Sequence, residues 1–210
     1  MDDREATRRK GGMSMTEPPE SATRCGLVSE WLSDAKRVDE AVYRSVAQTP
    51  TPALDRGMST LSQAANYSRL WIGSAAVLAL LGGRRGRRAA AQGLVSVAVT
   101  SAVVNIAVKR AGRRRRPDRP EDQAAEREVR MPTSLSFPSG HSASAFAFAT
   151  GVGHRLPVVA LPLYAAAGVV AYSRVHTGVH YPGDVVVGSM LGTALAQLTS
   201  RAIDHYVGGR

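Results

Sequence analysis

Two histidines, one carboxylate and a set of cations are the residues here whose types and spacing fit chemistry. His141 closes the turn Pro138-Ser139-Gly140-His141, at the threshold of an apolar run. His180 precedes Asp184 by four residues, in "SRVHTGVHYPGD". Two imidazoles can divide labour: a neutral one attacks an electrophile, and a protonated one gives its proton to the leaving oxygen. One helical turn after His180, a carboxylate fixes the tautomer of the ring and stabilises the charge that develops on it. Lys109, Arg116 and Arg174 favour an anionic substrate, arginine as a planar bidentate fork and lysine as a point charge. Ser139 and Gly140 stand just before a helix, where free N–H groups and the helix dipole attract an anion, and Gly140 permits close approach. The set fits phosphate-ester chemistry, in which catalysis is mostly positioning and charge stabilisation.

Each signal has a plainer reading. The arginines at 110, 113, 114 and 115 read as positive anchors closing a membrane helix. His176, His180 and Asp184, spaced one turn apart, also fit a metal site, although the surrounding cations repel a dication. His154 and His205 fall at the opposite face or in the tail, where no chemistry is assigned to them. Tyr181-Pro182-Gly183 shapes a turn. Gly93, Gly151, Gly168, Gly188 and Gly192 read as close-packing positions between helices.

The elements that must position these residues are helical. After a tail at residues 1–26 that reads as disordered, residues 27–66 carry apolar positions at helical spacing, an amphipathic helical segment. From residue 67 to 203 the chain reads as a membrane domain, with a short C-terminal tail at 204–210. Its apolar stretches are Leu70–Gly83, Ala89–Val108, Ser142–Gly153, Pro157–Tyr172 and Val185–Thr199, with "RRGRR" as a loop between the first two. Ala89–Val108 alone is long enough to cross a hydrocarbon core. Counting crossings from it brings three segments to one membrane face: the start of the loop after Lys109, the end of that loop at His141, and Ser173–Asp184. The expected fold is an all-α transmembrane bundle of about five spans.

Composition narrows the partners. The 210 residues carry 27 Lys and Arg against 17 Asp and Glu, a net charge of +10, which favours an anionic partner. With 5% aromatic residues, a base-stacking surface is disfavoured, so nucleic acid is not expected. Cys25 is the single cysteine, which excludes an internal disulfide framework and a cysteine-rich zinc module. The N-terminus has no apolar core of the secretory kind.

Lys109 with Arg116-Pro117 after six residues, Pro138-Ser139-Gly140-His141, and Ser173-Arg174 followed by His180 and Asp184 form three motifs in order. Together they resemble the signature of the type 2 phosphatidic acid phosphatase superfamily, which also includes soluble acid phosphatases and vanadium haloperoxidases. The stretch "SQAANYSRLW" and the "GGRRGRR" after it resemble actinobacterial members, including phosphatase portions of diacylglycerol-kinase-like fusions. The resemblance implies His180 as the nucleophile that becomes a phosphohistidine, Asp184 as its orienter and His141 as general acid. It implies Lys109, Arg116, Ser139, Gly140 and Arg174 as phosphate-binding residues, with no metal or other cofactor. The implied substrate is a lipid phosphate in the cell membrane: phosphatidic acid, a prenyl phosphate or diphosphate, or decaprenylphosphoryl-5-phosphoribose. Vanadate-dependent halide oxidation is the enzymatic alternative, and a non-catalytic membrane or nucleic-acid-binding protein is the other. Nine basic residues lie between Lys109 and Arg130, against four in "RRGRR", which places the catalytic face in the cytoplasm under the positive-inside bias.

Overall fold

The computed structural model describes residues 20–109, 114–119, 127 and 129–208. Arg110, Arg113 and residues 1–19 of the N-terminal tail lie outside the described residues. The chain divides into two units between Arg37 and Val38, and the candidate site lies in the second. The described residues form helices and no strand. In chain order these are α1 (Glu20–Gln48), α2 (Pro52–Ala64), a 3-10 turn (Asn66–Ser68), α3 (Arg69–Leu81) and α4 (Gly83–Val103). A π-helical turn (Val104–Val108), α5 (Gly140–Arg155), α6 (Ala160–His176) and α7 (Pro182–Gly208) follow.

The arginine run at 84–88 differs from expectation. It is not a loop but the first turns of α4, because the helix break falls at Gly82 and Gly83. Gly83 takes φ +56°, a left-handed conformation that glycine adopts without penalty. Arginine is a good helix former, so nothing after the break stops the helix from starting at once. α6 likewise runs on through Arg174 to His176, where the sequence places a loop from Ser173 onward.

α5 is the central helix, packed against α4, α6 and α7. Its run of Ala143, Ala145, Ala147 and Ala149 is buried, and small side chains let neighbouring backbones come close. Trp71 and Phe148, with ring centroids 5.4 Å apart, anchor the apolar cluster between α3, α4 and α5. On α7, a Cβ at Gly192 would lie 2.1 Å from the Ala143 carbonyl oxygen, and one at Gly188 would lie 2.5 Å from that of Ser139. These two glycines therefore set the distance between α7 and the start of α5. Gly93 and Gly151 are similarly tight, but Gly168 has nothing within 4 Å and is not a packing glycine.

Two helical stretches, Gly83–Val108 and Pro157–His176, are long and apolar enough to cross a membrane. α3, at 13 residues, and α5, at 16, are shorter than a straight crossing requires. Large apolar side chains point outward along the bundle, among them Leu80, Leu81, Leu161, Met190 and Leu198, while Gln92, Ser96, Thr100 and Ser144 are buried.

A buried ionic knot ties α1, α2 and α6 together. Arg127 donates to Asp55 Oδ1 at 2.7 Å and to the Val46 and Ala47 carbonyls, which are left unpaired at the end of α1. His176 Nε2 meets the same Asp55 oxygen at 2.9 Å. His176 therefore turns towards α2.

Replacing Gly192 by alanine is expected to cost about 1–3 kcal/mol, since the α5 backbone must move aside. Gly168→Ala is expected to leave stability unchanged or raise it by up to ~1 kcal/mol. Thermal unfolding of the two variants in detergent measures the difference.

Candidate active site

Four helix ends meet at one end of the bundle: the C-terminal ends of α4 and α6 and the N-terminal ends of α5 and α7. They surround a cavity of about 390 Å³ lined by Lys109, Arg116, Gly140, His141 and His180, among others. The π turn carries Asn105 into the same wall as Ser101 and Lys109. Five of the eight residues expected from the sequence thus line one space, and Asp184, Ser139 and Arg174 stand behind it.

His180 is buried and its tautomer follows from its neighbours. Nδ1 lies 3.4 Å from Asp184 Oδ2, a carboxylate oxygen that only accepts, so Nδ1 carries the hydrogen. Nε2 lies 3.2 Å from Arg116 Nη1, a guanidinium nitrogen that only donates, so Nε2 presents its lone pair. That lone pair is directed at Arg116, which lines the cavity with His180. Burial, with the charges of Arg116 and Arg174, pushes His180 down to about 4 despite the hydrogen bond to Asp184, which raises it. Burial tends to raise the Asp184 carboxyl, but His180, Ser136 and Arg114 outweigh that effect and hold it below the usual carboxylate range.

His141 stands across the cavity and its Nε2 donates to Asn66 Oδ1 at 2.9 Å. Burial first, and then the charges of Arg174, His180, Lys109 and Arg116, push it down to about 2. A phosphate dianion among those cations cancels their field and raises His141 towards its ordinary value. Burial and the Arg116 charge also lower Lys109. Lys109 Nζ reaches Ser134 Oγ at 3.4 Å, and Arg116 is braced by the Ser134 and Val179 carbonyls at 2.8 and 2.7 Å.

Three expected residues sit differently from a direct clamp. The Ser139 hydroxyl caps α5, accepting from the Ser142 N–H and hydroxyl, and its own N–H goes to the Asp184 carbonyl at 2.9 Å. Arg174 is buried with Nη1 on the Ser62 carbonyl at 3.0 Å, and its Nε has no partner among the described residues. Gly140 presents bare backbone, and a Cβ there would sit 3.8 Å from Lys109 Nζ.

Several contributors were not singled out by the sequence. Arg114, read there as a membrane anchor, instead bridges Asp39 Oδ2 at 2.6 Å and Asp184 Oδ1 at 3.3 Å, and stacks 3.8 Å from the Tyr181 ring centroid. Asp39 also accepts from the Gly183 N–H at 2.6 Å, fixing the first turn of α7. Ser136 donates to Asp184 Oδ2. Asn66 and Ser62 lie in "SQAANYSRLW", so the one available signal was that stretch itself. His154 pairs with Asp204 at the far end of the bundle, and His205 is exposed, so neither approaches the cavity.

Residues 89–206 match the family model described as the PAP2 superfamily. The chain belongs to the PAP2 superfamily. Among its relatives is a decaprenylphosphoryl-5-phosphoribose phosphatase of Mycobacterium tuberculosis, 38% identical over 140 residues, covering 64% of this chain and 72% of that protein. A protein of the same name from Mycolicibacterium smegmatis is 35% identical over 159 residues, covering 75% and 84% respectively. Two solved structures share the fold. The transmembrane PAP2-type phosphatidylglycerolphosphate phosphatase of Bacillus subtilis has a TM-score of 0.62 at 24% identity, over 83% of this chain and 88% of that one. Aquifex aeolicus LpxE has a TM-score of 0.61 at 24% identity, over 77% and 93%. The superfamily match begins at residue 89, whereas Asp39, Asn66 and Ser62 lie before it.

Arg114→Gln is expected to lower kcat for phosphate release about 10- to 100-fold with little change in KM, the range for outer partners that orient a functional side chain. Steady-state kinetics on a phosphate monoester checks this.

Proposed function

We propose that this PAP2 phosphatase is a membrane-embedded, metal-independent lipid phosphate phosphohydrolase acting through a phosphohistidine. The observation that carries the reading is the pairing of His180 and Asp184, facing His141 across a cation-lined cavity. His180 Nε2 attacks phosphorus, forming an N–P bond as the P–O bond to the leaving group breaks. His141, protonated once the phosphate offsets the surrounding cations, gives its proton to the departing oxygen. The now neutral His141 takes a proton from water, which attacks the phosphohistidine, releases inorganic phosphate and restores Nε2. Asp184 holds the Nδ1 hydrogen throughout. Lys109 and Arg116 meet the charge on the phosphoryl oxygens, with the Gly140 backbone beside them, while the Arg174 charge acts from behind the cavity wall and Ser139 holds the turn.

The substrate we favour is decaprenylphosphoryl-5-phosphoribose, because two relatives above 30% identity carry that name and the chain covers more than two thirds of each. About five helices cross the bilayer, a reading supported by the outward apolar side chains and the buried polar ones. The cavity opens at the membrane surface, where a headgroup enters while its chain stays in lipid. The concentration of arginines at that end favours the cytoplasmic face.

Phosphate release by the purified, detergent-solubilised chain from decaprenylphosphoryl-5-phosphoribose and phosphatidic acid tests this. Activity is expected to persist in EDTA, to vanish in His180→Ala, and to fall strongly in His141→Ala, Arg174→Ala and Lys109→Ala. Full activity in His180→Ala, or its abolition by EDTA, contradicts the mechanism. The pH profile is expected to be bell-shaped. Since His180 must be neutral, the acid limb is expected below the ordinary histidine value, the direction in which burial and the Arg116 charge shift His180. Arg116→Gln removes a charge that lowers His180, so the acid limb is expected to move upward in pH.

A further inference from the structure

A second cavity, of about 410 Å³, adjoins the first and shares four wall residues with it: Tyr67, Pro132, Ser134 and His141. His141 is therefore a partition, with His180 on one side of the shared wall and a separate space on the other. If His141 protonates the leaving oxygen, the leaving group extends along that wall, so the second cavity is where it goes. That space is polar where it meets His141: Asn66 and Thr133 line it, and Arg130 provides its cation. Arg130 is exposed and makes no hydrogen bond or ion pair among the described residues. Arg116, Arg114 and Arg174 are by contrast engaged, Arg116 by Ser134 and Val179, Arg114 by Asp39 and Asp184, and Arg174 by Ser62.

We propose that Arg130 is a second anion subsite, holding a second phosphate that belongs to the leaving group. The matching ligand is a sugar-sized polar unit with a phosphate at each end, one cleaved beside His180 and the other kept on Arg130. A leaving group that is hydrocarbon from its first carbons would offer Thr133 and Arg130 no partner, and a site built to bond polar groups selects against such a ligand. The inference rests on the reading of His141 as the general acid.

Ribose 1,5-bisphosphate and ribose 5-phosphate differ only in the second phosphate, which makes them the probes. Calorimetric binding to the full chain in detergent, in the His180→Ala background that cannot turn them over, isolates the subsite from catalysis. The bisphosphate is expected to bind about tenfold more tightly than the monophosphate, the scale of one charge-assisted contact. Adding Arg130→Gln is expected to erase that difference while leaving the monophosphate affinity unchanged. Equal affinities for the two sugars, or the same loss for both in Arg130→Gln, overturns the subsite. Failure of the unmutated chain to release phosphate from either sugar phosphate or from phosphatidic acid refutes the phosphatase mechanism instead, and leaves the binding result standing.

Discussion

Asp184 is a fully buried carboxylate on which the three motifs converge. Its side chain accepts from Ser136, from the Tyr181 N–H at 3.0 Å and from Arg114, and it faces the Nδ1 hydrogen of His180. Its backbone carbonyl accepts from Ser139, so the turn that presents His141 hangs on the same residue. A buried negative charge is tolerated only when it is paired and hydrogen-bonded on all sides. That requirement forces the first motif, through Arg114, and the second, through Ser136 and Ser139, against the third. Burying Asp184 and assembling the site are one event.

The opposite electrostatic problem lies in the cavity. Lys109, Arg116 and Arg174 crowd two imidazoles, and both rings are driven well below the ordinary histidine value. Like charges held this close are costly by themselves, so the arrangement is complementary to an anion. In the proposed mechanism substrate and proton donor are thereby coupled, because a dianion among the cations would also raise His141. The same field favours the neutral form of His180.

Much of this site was legible in the sequence because its key spacings are local. His180 and Asp184 are one helical turn apart, and Pro138 to His141 form a turn opening a helix, so residue types and intervals carry the geometry. Contacts between distant segments left no such trace. Within "RRRRP" no local pattern distinguishes Arg114 from its neighbours, since its partner Asp39 lies 75 positions earlier and Asp184 70 later. The Arg127–Asp55–His176 knot is equally silent, and it draws His176 away from the spacing that resembled a metal site. The five apolar stretches were visible as composition, yet the break at Gly82 and Gly83 placed four arginines inside a helix.

The account stands on a covalent bond between phosphorus and His180. Rapid mixing of enzyme with substrate, an alkaline quench that preserves phosphohistidine, and peptide mass spectrometry locate that bond directly. The predicted result is phosphate on the peptide carrying His180, appearing within the first turnover and decaying as inorganic phosphate accumulates. Steady phosphate release with His180 unmodified at every time point, or with the label on another residue, would contradict it.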